Sequence, residues 1–231
     1  MNWVRYADIA AVYRSMVQSV LRTWEGKFQR DEAEDAAWTG GTAGSGTLVG
    51  TMRGIGVRTF ARWRNCDPEA VTPEELHALT EHEAIEIAYN LFFLEAGLDR
   101  LPYSRVVQCL FDLSFTAGPM VAVQTLQRLV GVVEDGVLGP VTVGAYLAWI
   151  NRMGVDEGLK ALVERRLVLG EADVKRHPEK ERTRTAWRRR LRSFLYDPPP
   201  RPIGAPADDA PPARRRGLLQ RLLSRLKTPP P

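Results

Sequence analysis

The chain is short of the residues from which several kinds of protein are built. It has two cysteines, Cys66 and Cys109, in 231 residues, and their spacing matches no metal-binding pattern. Nothing in the sequence brings them within bonding distance, so both are expected to be packed thiols. Of the three histidines, His77, His82 and His177, only the first two could share a helix, and neither has a third ligand nearby. No metal or organic cofactor is implied. No apolar run approaches the roughly 20 residues of a membrane-spanning helix. Arg5, Asp8 and Arg14 interrupt the N-terminal stretch where a secretory leader would carry its apolar core, so synthesis without a signal peptide is expected.

What is present is a 44% apolar content, enough to bury a core. The net charge of +4 is unevenly placed. From residue 198 onward seven basic residues face two acidic ones, a surplus of five, which leaves the rest of the chain at −1. The basicity thus belongs to an appendage, and a nucleic-acid-binding globular domain is not expected.

Helical periodicity dominates the chain. Ile9, Val12, Tyr13, Met16, Val17, Val20, Leu21 and Trp24 form one apolar stripe over about four turns. Residues 26–56, rich in Gly and Thr and without a sustained period, read as a long loop or a short irregular β-hairpin. Thr72-Pro73-Glu74-Glu75 combines an N-cap, a proline at the first helical position and a capping box, predicting a helix that runs to about Ala96 and ends at Gly97. Further helices are predicted over about 104–117, ending at Gly118-Pro119, then up to Gly131, near 141–152 and 156–170, and as a basic helix near 180–195. Residues 197–213, rich in proline, read as a stiff linker. The leucines and arginines of 214–228 read as a short cationic amphipathic helix.

Glu25 occupies the place in the stripe where the next apolar residue is due, beside Trp24. A carboxyl at the end of an apolar stripe is desolvated and its pKa rises, as a general acid near neutral pH requires. The plain alternative is that the helix ends there and Glu25 faces solvent. A glycosidase also needs a second group across the scissile bond, and the following loop supplies Asp31, Glu32, Glu34 and Asp35, then a Gly-rich stretch and Thr51.

The run Leu21-Arg22-Thr23-Trp24-Glu25-Gly26 resembles the opening of the glycoside hydrolase family 108 muramidases, which include phage endolysins and secretion-associated muramidases. Thr51-Met52-Arg53-Gly54-Ile55, Leu101-Pro102, Phe111-Asp112, Ala117-Gly118-Pro119, Leu126-Gln127 and Asp135-Gly136-Val137-Leu138-Gly139-Pro140-Val141-Thr142 continue the resemblance, which covers about residues 5–196. It implies a mainly α, lysozyme-like domain over 1–196, with a catalytic part over about 1–102 and a peptidoglycan-binding helical part over 103–196. By position it also implies Glu25 as the acid, Glu34 as its acidic partner and Thr51 as the residue that helps position water. The second glycine of the family's Glu-Gly-Gly is Lys27 here, and the acidic loop is rewritten, so Asp35 is the alternative to Glu34. Thr116 stands where the family has an asparagine that contacts substrate.

The implied substrate is the glycan strand of peptidoglycan, cut between N-acetylmuramic acid and N-acetylglucosamine by a monomeric enzyme. It would be made in the cytoplasm and act at the wall after holin-type or other release. Phe92 and Phe93 either line a sugar cleft or pack in the core. Asp135 to Thr142 forms either a glycan-contacting loop or a structural connector. Residues 214–228 are expected to meet an anionic membrane or lipopolysaccharide, and arginines without interleaved aromatics argue against nucleic acid. A peptidoglycan-binding or phage structural protein that has lost the chemistry is the competing reading.

Overall fold

A computed structural model describes residues 6–196. The expected linker at 197–213 and amphipathic helix at 214–228 lie outside the described residues. The described chain is mainly helical with one small antiparallel hairpin after the first helix, as expected. It divides into two compact units, the first ending at Phe92 and the second beginning at Phe93.

In the first unit, α1 (Tyr6–Trp24) buries Val12, Tyr13, Met16, Val17, Val20 and Leu21 of the stripe read from the sequence, while Trp24 at its end is half-buried and the side chain of Ile9 lies outside the described residues. It packs on α4 (Glu81–Ala88), and the ion pairs Arg14–Glu86 and Arg22–Glu81 flank that contact. Partly exposed pairs of this kind orient more than they stabilise. The segment after α1 resolves into a hairpin of β1 (Thr51–Met52) and β2 (Ile55–Gly56). Its two-residue turn, Arg53-Gly54, has positive φ at both positions (52° and 75°), as a type I′ turn demands. The helix α2 (Val57–Arg64) follows directly and buries Val57, Phe60 and Ala61. Its eight residues hold too few periods to stand out in the sequence.

The capping box of Thr72 and Glu75 forms as expected, but the single helix to Ala96 does not. The chain stops after α3 (Pro73–His77) and restarts at Thr80, whose side chain caps α4 in a second capping box with Glu83. A threonine that bonds forward to the backbone competes with continuation of the helix through its own position. After α4 the backbone loosens into a π-helical turn over Tyr89–Leu94.

The second unit is all helical: α5 (Arg105–Ala117), α6 (Pro119–Val130), α7 (Pro140–Met153), α8 (Val155–Arg176) and α9 (Arg184–Tyr196). Starts and stops follow the capping signals, with Ser104 capping α5 and Gly131 in the left-handed conformation after α6. α8 runs beyond the expected end near 170, and a 3-10 segment (Pro178–Thr183) precedes α9. α5 is central and is buried from Val106 to Ser114. The buried charge it carries, Asp112, is held by Arg166 of α8 at 2.6 Å and by Arg190 of α9 at 2.7 Å. Burial alone would push the Asp112 carboxyl up, but the two guanidiniums outweigh it and hold the carboxyl below the usual range.

Candidate active site

Glu25 continues the backbone pattern of α1, its N–H donating to the Leu21 carbonyl at 2.8 Å. The side chain is half-buried, with Oε1 out of contact with solvent. It borders a cavity of about 140 Å³ lined also by Gln18, Leu21, Arg22, Arg53, Glu81, Ala84 and Ile85. The helix therefore does not release Glu25 into bulk water. Arg22 and Gln18 both donate to Glu81 Oε1, at 2.6 and 3.3 Å, and together with the more distant Arg53 charge they hold the Glu81 carboxyl below its ordinary value.

Backbone pairing fixes the acidic loop opposite α1. Gln29 and Thr51 exchange both of their N–H···O bonds, at 3.0 and 2.9 Å, which adds an isolated bridge beside the hairpin. Gly50 allows this approach: its φ is +124°, and a Cβ there would stand 2.6 Å from the Gln29 carbonyl oxygen. A second bridge joins Trp38 to Leu48 and closes the Gly-rich loop between them. Glu69 pins that loop by accepting from the hydroxyls of Thr39 and Thr47.

The scaffold separates the two candidate partners of Glu25. Glu34 Oε2 accepts from Thr51 Oγ1 at 3.1 Å and from Gln29 Nε2 at 3.2 Å. Burial pushes the Glu34 carboxyl up, the Thr51 and Gln29 hydrogen bonds pull it back, and the charges of Asp31 and Glu25 add to the rise. Glu25 and Glu34 thus feel one another electrostatically. Asp35 instead turns to the Gly-rich loop, where Oδ1 accepts from the Ala43 N–H at 2.9 Å, and its residue is exposed. Thr51 itself is 2% exposed.

The remaining sequence candidates are placed differently. Phe93 is wholly buried and meets Phe111 edge-on at 6.2 Å between ring centroids, so it belongs to the core of the second unit. Phe92 is half-buried at the end of the first unit. Thr116 is exposed near the C-terminus of α5, with its hydroxyl donating to the Asp112 carbonyl at 2.8 Å. Asp135 serves its own turn: Oδ1 accepts from Val137 N–H at 2.8 Å and Gln127 Nε2 at 2.6 Å, and these bonds hold its carboxyl below the usual range. Gln127 also accepts from the Gly136 N–H, and its Nε2 lies within hydrogen-bond distance of the Val137 carbonyl and the Thr142 hydroxyl, so the turn is closed on a buried amide. Cys109 is packed, whereas Cys66, expected to be packed, is exposed at the turn after α2, where it contributes nothing to the core. Sequence reasoning missed Gln29, Arg53 and Glu81, because pairing across the loop and a turn of special φ bring them in, and neither leaves a periodic signal.

A helical fold with two carboxylates and a buried threonine hydroxyl gathered beside the first helix defines a glycosidase-type site. The family model described as Glycosyl hydrolase 108 matches residues 18–118, which contain the whole of this site. A solved structure of Brucella abortus SagA is similar to the chain, with 25% identity over 77% of this chain and 87% of that one, and a TM-score of 0.59. No curated protein matches the chain.

Proposed function

We propose that the protein is a peptidoglycan muramidase, cutting the bond between N-acetylmuramic acid and N-acetylglucosamine, with Glu25 as proton donor. The observation that carries this reading is the juxtaposition of Glu25 with the half-buried, threonine-bonded Glu34. Glu25 gives its proton to the glycosidic oxygen while an oxocarbenium-like centre develops. Glu34, a stronger base than a surface carboxylate, takes the proton of the attacking water. Thr51 donates its own hydroxyl proton to Glu34, which leaves its oxygen lone pairs to receive that water. No step calls on a metal. Residues 103–196 hold the wall, and 214–228 add contact with an anionic membrane or lipopolysaccharide.

The test is digestion of purified sacculi followed by mass spectrometry of borohydride-reduced fragments. Muramitol at the new ends is expected. Glucosaminitol ends would point to another glycosidase, and intact glycan would favour a wall-binding protein without chemistry.

A further inference from the structure

Among the described residues, two that are not glycine have positive φ, Asn65 at 53° and Arg53 at 52°. Asparagine tolerates that conformation, and Asn65 uses it to end α2. Arginine has no such preference: the first position of a type I′ turn favours asparagine, aspartate or glycine. A strained backbone persists at positions where it places a side chain the protein uses.

The turn delivers Arg53, half-buried, to the wall of the cavity of about 140 Å³ that Glu25 borders. The other polar residues of that wall are Gln18, Arg22 and Glu81. Glu81 is engaged by Arg22 at 2.6 Å and by Gln18 at 3.3 Å, and of the groups that hold its carboxyl down Arg53 contributes least. Arg53 Nε has no hydrogen-bond partner, so the guanidinium edge that takes a carboxylate side-on is unclaimed by the protein. With Glu25 protonated, as a proton donor must be, the wall carries one carboxylate and two guanidiniums, and Arg53 is the less engaged of the two. The cavity falls below the roughly 300–1,000 Å³ of sites that enclose a whole small molecule. It suits one short arm of a substrate whose sugar rings lie outside it.

We propose that Arg53 determines specificity by binding the free carboxylate of the lactyl arm on N-acetylmuramic acid, so that glycan stripped of its stem peptides is the preferred substrate. This rests on the muramidase reading for the identity of the sugar. Attachment of a stem peptide turns that carboxylate into an amide, which removes its charge and adds bulk that a cavity of this size does not hold.

Equilibrium titration of the full chain carrying Glu25→Gln, which keeps position 25 neutral, tests it. The probe is the tetrasaccharide of alternating N-acetylglucosamine and N-acetylmuramic acid, prepared with free lactyl carboxylates, with lactyl methylamides, or with L-alanyl-D-glutamate on the lactyl arms. The free carboxylate form should bind about tenfold tighter than either other form, as a charged hydrogen bond exceeds a neutral one. Adding Arg53→Asn or Arg53→Gly, residues that the turn favours, should abolish the preference without lowering Tm. A methylamide or peptide form bound as tightly as the carboxylate, no binding of any form, or a preference that survives both Arg53 variants overturns the proposal. Reducing-end release from sacculi by the unaltered chain tests the muramidase reading separately. Cleavage without the carboxylate preference removes only the role of Arg53, and the preference without cleavage removes only the reaction.

Discussion

Thr51 Oγ1 donates a 3.1 Å hydrogen bond to Glu34 Oε2 from a position that is 2% exposed. The bond ties a residue of the hairpin to one of the acidic loop. Thr51→Val keeps the shape and removes the donor. A hydrogen bond to a charged group is worth about 1.5–3 kcal/mol, so kcat on purified sacculi should fall roughly 10- to 150-fold. The secondary structure by circular dichroism should not change.

Glu34 gives the account a pH signature. Its carboxyl is raised in the folded state, so the folded protein holds that proton more tightly than the unfolded chain does. The favourable contribution is therefore complete below the ordinary value of 4.5 and is lost as pH rises through the folded value. Glu34→Gln, always neutral, should have the higher Tm at pH 7, and the gap should close as pH falls toward 4.5. Thermal unfolding across that range reads it directly. The same variant should lose most of its lytic activity.

Asp35 makes the contrasting case. Its carboxylate is engaged by the Ala43 N–H on the Gly-rich loop. Asp35→Asn can still accept that bond, and surface substitutions stay within about 0.5 kcal/mol, so activity should remain within roughly twofold. A loss as deep as that of Glu34→Gln would exchange their roles.

How far the sequence disclosed these positions depends on the kind of signal each leaves. The stripe on α1 placed Glu25 because helical burial is periodic, and Val12 to Leu21 are buried as their spacing requires. The cap at Thr72 and the stop at Gly131 were legible because each has a local chemical cause. The break at Thr80 was not, since apolar spacing continues across it and only the competing cap interrupts the helix. Glu34 and Asp35 stand side by side in sequence, and no local pattern separates them. Their different partners, Thr51 and Ala43, come from the pairing of Gln29 with Thr51 and from the closed Gly-rich loop. Phe93 looked like a candidate for a sugar cleft because an aromatic ring serves a core and a cleft equally well in composition, and burial against Phe111 decides it.

Asp112 measures what holds the second unit together. Asp112→Ala leaves two guanidiniums, Arg166 and Arg190, without their shared carboxylate. Removing one partner of a buried ion pair costs about 3–5 kcal/mol, which at roughly 2–4 °C per kcal/mol lowers Tm by about 6–20 °C. Arg14→Ala, which removes a partly exposed pair with Glu86, should cost no more than about 1 kcal/mol.

The central claim is that Glu25 supplies the proton for glycan cleavage, and Glu25→Gln tests it most directly. The amide keeps the size and hydrogen-bonding reach of the side chain but cannot act as the acid. Release of reducing ends from purified sacculi should disappear, while Tm stays within about 3 °C of the unaltered protein, the shift expected for less than about 1 kcal/mol. A variant that is folded and still releases reducing ends at the original rate would contradict the account.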